Sequence, residues 1–267
     1  MNRAMKPDCE ELIVERHNMI LSSISHDLKS PMNAIMGCVN VLLENPADIS
    51  SEKSREFLGR VFTAGKEMLK LIEEILTMAK MEAGRESIEP VWIDSLGKEL
   101  KEVVTTFKHE TAAKDISLSL DTSGALPPVR WDARRIRLHV LNNIVSNALK
   151  FTPAGGVVRI SASGDNGAVD IRVEDSGPGV PAEERQRIFQ RFEHIDLKSA
   201  RVFGGAGLGL SNARLFAERH GGSIYVEDST DLGGACFVVS LPRDANSFLE
   251  EKTAARIDNG SFMEESI

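Results

Sequence analysis

Apolar residues Ile13, Ile20, Ile24, Leu28, Ile35, Val39 and Leu42 recur at sevens, fours and threes, the spacing of one face of a long helix. Glu44-Asn45-Pro46-Ala47-Asp48 breaks the pattern, and Ser50 or Ser51 can cap a second helix. In that helix Leu58, Val61, Gly65, Met68, Ile72, Ile75 and Ala79 step by three and four without an error. So narrow a seam resembles a coiled coil. Helices of roughly 30 residues run ~50 Å each, and a lone hairpin of that length buries only part of its apolar surface. A second copy is the simplest partner, so the pattern predicts a dimeric four-helix bundle. The alternative is a monomeric hairpin packed on the rest of the chain.

Past Gly84 the period changes. A helix is predicted from about Asp94 to Ala113, then a strand at Ile116 to Leu120 and a turn through Pro127 and Pro128. A strand near Val129 to Trp131 precedes a helix from about Ala133 to Lys150. Val157 to Ser163 and Ala168 to Glu174 alternate around Gly164-Asp165-Asn166-Gly167, a strong hairpin signal. Ser223 to Glu227 and Ala235 to Leu241 bracket Gly233-Gly234, and between the two pairs lies a helix from about Leu208 to His220. Helices segregated from antiparallel hairpins predict an α+β fold with an α/β sandwich, not a doubly wound sheet. The expected organisation is a flexible start at 1–9, a helical domain at 10–84, a linker at 85–93, an α/β domain at 94–243 and a polar, mobile tail at 244–267.

Composition narrows the function classes. With 267 residues, 42% hydrophobic and 27% charged, the chain can bury two cores. Its net charge of -8 and the absence of a dense Lys/Arg run exclude a nucleic-acid binder. Cys9, Cys38 and Cys236 are too scattered for a disulfide framework or a zinc site. The longest mostly apolar stretch, Ala34 to Leu43, is interrupted by Asn40 and far short of the ~20 residues that span a bilayer. No charged start leads into an apolar run, so no transmembrane segment or signal peptide is expected and the cytoplasm is the default.

Four segments carry candidate chemistry. Ser25-His26-Asp27-Leu28-Lys29-Ser30-Pro31 sets an imidazole beside a carboxylate; at 100° per residue His26 points away from the Ile24 and Leu28 stripe. Asn143 to Lys150 puts the amides of Asn143 and Asn147 four apart on one helical face, with Lys150 three beyond. Amide oxygens can ligate a hard cation and lysine can meet a phosphate, though a plain polar face has the same look. Asp175-Ser176-Gly177-Pro178-Gly179 ends a strand with a carboxylate able to accept from an exocyclic amine, beside glycines that let a planar ligand approach. Gly204-Gly205-Ala206-Gly207-Leu208-Gly209-Leu210 places residues without side chains before a helix start, where free N–H groups favour phosphate. It lacks the lysine of a Walker loop.

In this order and spacing the segments resemble the histidine protein kinase family, over nearly the whole chain from about Glu10 to Pro242. Ser25 to Pro31 is similar to its phosphoacceptor box, Asn143 to Lys150 to its N box, Asp175 to Gly179 to its G1 box, Phe189 and Phe192 to its F box and Gly205 to Gly209 to its G2 box. The resemblance implies a dimerisation and histidine phosphotransfer domain joined to a Bergerat-type ATP-binding domain. It implies that His26 attacks the γ-phosphate of ATP through Nε2 while Asp27 accepts from Nδ1–H. By the same resemblance Asn147 ligates Mg²⁺, Asn143 and Lys150 hold phosphate oxygens, Phe151 covers the nucleotide, Asp175 reads the adenine amine, and Gly177 and Gly179 admit the base. Gly205, Gly207, Leu208 and Gly209 then shape the phosphate loop, and His194 to Gly204 form a lid. The implied partners are a second copy and the receiver domain of a separate response regulator; input is expected from a separate sensor or input protein, from the short N-terminus or from a portion outside this sequence.

Three positions depart from the family pattern. Asp27 stands where many members carry Glu, one methylene shorter but still able to accept the hydrogen bond. Ser30 stands where many have Thr, a position that supports hydrolysis of the partner's phosphoryl group. Cys236 is expected where a Thr hydroxyl often helps bind adenine, and a thiol is a weaker partner; a small buried apolar residue is the preferred reading of the thiol itself over a redox role. Two other classes share parts of this pattern: a clamp ATPase, which the exposed histidine argues against, and a non-catalytic dimeric scaffold, which Asn147, Asp175 and the glycines argue against.

Overall fold

The computed structural model describes residues 9–44, 50–82, 87–122, 124, 126–165, 167–191, 193 and 207–246, and among these leaves out the side chains of residues 9–23, His26, Met78 and Glu82. The chain divides into two compact units near residue 85.

The first unit is a hairpin of α1 (Cys9–Glu44) and α2 (Ser51–Glu82). Pro31 lies inside α1 and interrupts its hydrogen-bond ladder about one turn after His26. Ser50 caps α2, its Oγ accepting from the Lys53 N–H at 3.3 Å. The seam within the hairpin runs through Phe57, Val61, Ala64, Met68, Leu71 and Ile75, all half-buried or buried. It is displaced from the predicted one: Leu58 and Ile72 are exposed, and with Phe62, Leu69 and Leu76 they form a second apolar stripe. Periodicity finds that α2 carries a seam but cannot separate two adjacent stripes. On α1, Met32, Met36 and Leu43 are likewise exposed. The predicted break at 45–49 lies outside the described residues, as do the chain start at 1–8 and the tail after 246.

The second unit is built on a five-stranded sheet in the order β2-β4-β5-β7-β6, comprising β2 (Ser117–Asp121), β4 (Val157–Gly164), β5 (Ala168–Asp175), β6 (Ser223–Asp228) and β7 (Ala235–Pro242). Its β2–β4 pair is parallel and the rest antiparallel. Alternation along β4 and β5 sends Val158, Ile160, Val169, Ile171 and Val173 into the core, where each is at most 1% exposed. Arg159 and Arg172 project from the other face, where Arg159 pairs with Glu174 on the neighbouring β5 and Arg172 reaches across β7 to Glu227 on β6. The buried layer also takes Val140, Ile144, Val145 and Leu149 from one helical stretch and Ala213, Phe216 and Ala217 from α7 (Gly209–Arg219).

Three elements differ from the sequence pattern. The helix predicted over Asp94 to Ala113 is two, α3 (Leu96–Thr106) and α4 (Lys108–Lys114), broken at Phe107, whose φ is -96° and ψ 4°. Val91–Ile93, in the expected linker, forms β1 and pairs antiparallel with β3 (Val129–Trp131). The helix predicted from Ala133 to Lys150 is a short α5 (Ala133–Arg135), a π-helical segment (Ile136–Leu141) and α6 (Asn142–Phe151). Apolar spacing cannot register that extra residue per turn.

Candidate functional site

The phosphoacceptor segment sits on α1, with Ser25, Lys29 and Ser30 exposed and Asp27 half-buried. His26 is helical in backbone, and the orientation expected for its imidazole lies outside the described residues.

In the α/β unit the site assembles from the bottom of α6, the end of β5 and the start of β7. Asp175 is 3% exposed at the last position of β5. Its Oδ1 accepts from the backbone N–H of Gly177 at 2.8 Å and of Ala235 at 3.1 Å. Its Oδ2 has no hydrogen-bond partner among the described residues and is the oxygen left to receive a ligand donor. Burial pushes the Asp175 carboxyl above its ordinary range, overcoming the two N–H bonds that favour the charged form. Glycine is required around it: a Cβ on Gly234 would lie 2.4 Å from Asp175 Oδ1, and one on Gly177 would lie 3.0 Å from the Phe151 carbonyl oxygen. Gly179 turns the chain with φ +73°.

Asn143, Asn147 and Lys150 follow one face of α6. Asn147 is half-buried and makes no side-chain hydrogen bond among the described residues. The Lys150 ammonium lies 5.1 Å from the Phe151 ring centroid. Asn143 is 9% exposed, and its Nδ2 donates to the carbonyls of His139 at 2.8 Å and Gly209 at 3.1 Å. Phe189 is buried edge-on against Phe237, with centroids 6.3 Å apart. Gly207, with φ +64°, and the buried Leu208 lead into α7, whose first residue is Gly209. Phe192, Gly205 and the lid expected at 194–204 lie outside the described residues.

The structure corrects the place expected of Cys236 beside adenine and agrees with its reading as a small buried residue. It is 3% exposed but paired in register with Glu174 and Glu227, and its Sγ is 4.0 Å from Arg172, on the sheet face opposite the Asp175 carboxyl. Burial raises its thiol pKa. The residue beside Asp175 is Ala235, which supplies an N–H and no hydroxyl. Only the register between β5 and β7 reveals this, because the turn before Gly234 does not fix it from sequence. Sequence reasoning also missed a seam between α7 and the N-box helix. His220, fully buried, accepts at Nε2 from the Asp132 N–H at 3.2 Å while its Nδ1 lies 2.7 Å from the Phe216 carbonyl. His139 stacks on Phe216 with centroids 4.3 Å apart. Partners at separations such as 132 to 220 leave no local signal.

Comparison with known proteins gives these features a family. Residues 16–84 match the model of the His Kinase A (phospho-acceptor) domain. Residues 132–245 match that of the histidine kinase-, DNA gyrase B- and HSP90-like ATPase. Among relatives, the circadian input-output histidine kinase CikA of Synechococcus elongatus is 32% identical over 224 residues, 83% of this chain and 29% of that protein. The histidine protein kinase DivJ of Caulobacter vibrioides is 33% identical over 229 residues, 85% of this chain and 37% of that protein. The chain therefore spans well under half of either relative. Among solved structures, full-length ShkA in complex with AMPPNP matches with TM-score 0.60 and 29% identity, over 83% of this chain and 45% of that one. The catalytic domain of the histidine kinase ThkA matches with TM-score 0.52 and 29% identity, over 59% of this chain and 98% of that one. The chain belongs to the histidine kinase family, with a phosphoacceptor domain followed by an ATP-binding domain.

Proposed function

We propose that this protein is an ATP-dependent protein histidine kinase that phosphorylates itself on His26 and passes the phosphoryl group to an aspartate of a separate response regulator. The observation that carries the nucleotide half is the Asp175 carboxylate, buried, with Oδ1 committed to two backbone N–H groups and Oδ2 open. Oδ2 accepts from the exocyclic amine of adenine, and the close packing at Gly177 and Gly234 keeps the wall flat for the ring. Phe151 covers the base, Gly179 shapes its rim and Phe189 backs the pocket from the core. Lys150 meets phosphate oxygens, and Gly205, Gly207, Leu208 and Gly209 bring the chain to the phosphates.

Bound magnesium supplies charge compensation for in-line transfer. Among the described residues no cluster of three His, Cys, Asp or Glu is placed to hold an ion. The residue that fits is Asn147, whose uncommitted amide oxygen is a hard neutral donor able to share a cation with the nucleotide's own phosphates.

His26 attacks through Nε2, while Asp27 accepts from Nδ1–H and holds the tautomer that leaves Nε2 with its lone pair. Ser30, exposed one turn on, supports hydrolysis of the response regulator's phosphoryl group. Residues 10–84 form the dimerisation and phosphotransfer domain, and the catalytic domain runs to 243 and starts ahead of the expected 94, taking in β1 (Val91–Ile93), which pairs with β3. The kinase works as a homodimer in the cytoplasm, its input coming from a partner protein or from a segment outside this sequence; no helix among the described residues is long and apolar enough to cross a membrane.

The test is incubation with γ-labelled ATP and Mg²⁺. Wild type acquires an acid-labile, alkali-stable label that a receiver domain then removes, and His26→Gln acquires none while still binding ATP. Equal labelling of the variant refutes the assignment of His26.

A further inference from the structure

We propose that Asn143 is a positioning residue: a strut that holds the first turn of α7, and so the end of the glycine-rich segment, against the helix carrying Asn147 and Lys150. A primary amide has two N–H donors, and both are spent on backbone carbonyls, those of His139 and Gly209. Two flanking carbonyls accept only from the NH₂ end, which fixes which terminus of the amide is nitrogen. Asn143 therefore has nothing left to donate to a phosphate oxygen, the role its place in the motif implies. Gly209 is shaped to the strut: a Cβ there would lie 3.3 Å from Asn143 Oδ1 and 3.4 Å from Cγ. A phosphate-loop glycine thus has a packing reason as well.

The strut is one of several ties between the helical stretch from Asp132 to Phe151 and α7 with the residue that follows it. Farther along the seam His139 stacks on Phe216, and at its far end the Asp132 N–H reaches His220. The Phe216 and His220 ties sit deep in the unit, whereas Asn143 acts at the α7 end that adjoins the glycine-rich segment. Fixing that end before nucleotide arrives lowers the ordering cost of binding.

This inference rests on ATP binding by the α/β unit, and its test separates the two. The full chain is titrated calorimetrically with ATP in Mg²⁺ and in EDTA, and amide exchange of nucleotide-free α7 is followed. Wild type that gives no binding overturns the ATP reading itself. With binding present, Asn143→Ala is expected to lose roughly tenfold to a hundredfold in affinity, by the same factor in both buffers, with faster exchange over residues 210–216. A loss confined to Mg²⁺, or unchanged exchange, makes Asn143 a ligand contact and overturns the strut. Gly209→Ala provides the second probe: its cost in the wild-type background should shrink severalfold in the Asn143→Ala background, where the pressing side chain is gone. Equal cost in both backgrounds refutes the contact.

Discussion

At the scale of single residues, two buried titratable groups set a balance between stability and function. Hydrogen bonds to a charged group stabilise by ~1.5–3 kcal/mol each, yet desolvation still raises the Asp175 pKa, so at neutral pH its charge is held against the fold's preference. A raised folded-state pKa favours folding at low pH, and that contribution is lost as pH rises through the folded-state value. Asp175→Asn keeps an oxygen for the Gly177 and Ala235 N–H groups without the charge. Its α/β unit should therefore melt at or above the wild-type temperature at pH 7, the difference opening as pH climbs past the carboxylate range, while ATP affinity falls at least tenfold; a lower melting temperature would count against desolvation as the dominant cause. His220 has the opposite sign. Burial lowers its pKa, against the Phe216 hydrogen bond and Asp132, which raise it, and Arg135, which adds to the lowering. Neutral His220 accepts from Asp132, and a proton on Nε2 would set donor against donor. Stability from this group is complete above about pH 6.5 and lost below it, at no more than ~1.4 kcal/mol per pH unit. Thermal melts between pH 7 and 5 should show the wild-type slope flattened in His220→Gln; identical slopes would place the acid sensitivity elsewhere.

Secondary-structure elements separate what the sequence makes legible from what it hides. Strands β4 to β7 and the long helices announce themselves, because each buries one face and a buried face imposes a period of 2 or 3.6. The breaks are less visible. At Phe107 an apolar residue serves both α3 and α4, so the pattern runs through a backbone that has left the helix. The π-helical turn at Ile136–Leu141 keeps apolar residues inward while the Asn142 N–H bonds the Arg137 carbonyl five residues back. Arg137 in turn bridges Glu99 and Glu102 of α3. The site shows the same division. Asp175, Asn147 and the glycines are legible because the chemistry needs those residue types, whereas Asn143's two carbonyl partners, and Ala235 rather than Cys236 beside Asp175, depend on register and on contacts far apart in sequence.

For the molecule as a whole, the unanswered surface is on the helical hairpin. Within one chain Phe62 is 65% exposed and Leu69 58%, in a stripe of α2 with Leu58, Ile72 and Leu76, and Met32, Met36 and Leu43 of α1 are exposed as well. Apolar residues exposed at regular helical spacing mark an interface rather than scattered surface residues. At roughly 1 kcal/mol for the still-exposed part of each side chain, eight from each of two chains exceed the ~4–15 kcal/mol cost of association. The inner seam at Ala64 and Leu71 is already filled, so the two stripes can be tested apart. Leu69→Glu places a charge where the second copy would pack and leaves the hairpin's own seam untouched. In the full chain it should convert a micromolar dimer to monomer in sedimentation, with helix content by circular dichroism unchanged, because an unpaired buried carboxylate costs several kcal/mol. A wild-type chain that sediments as a monomer at these concentrations, or a Leu69→Glu variant that remains dimeric, would mean that this stripe is covered by something other than a second copy.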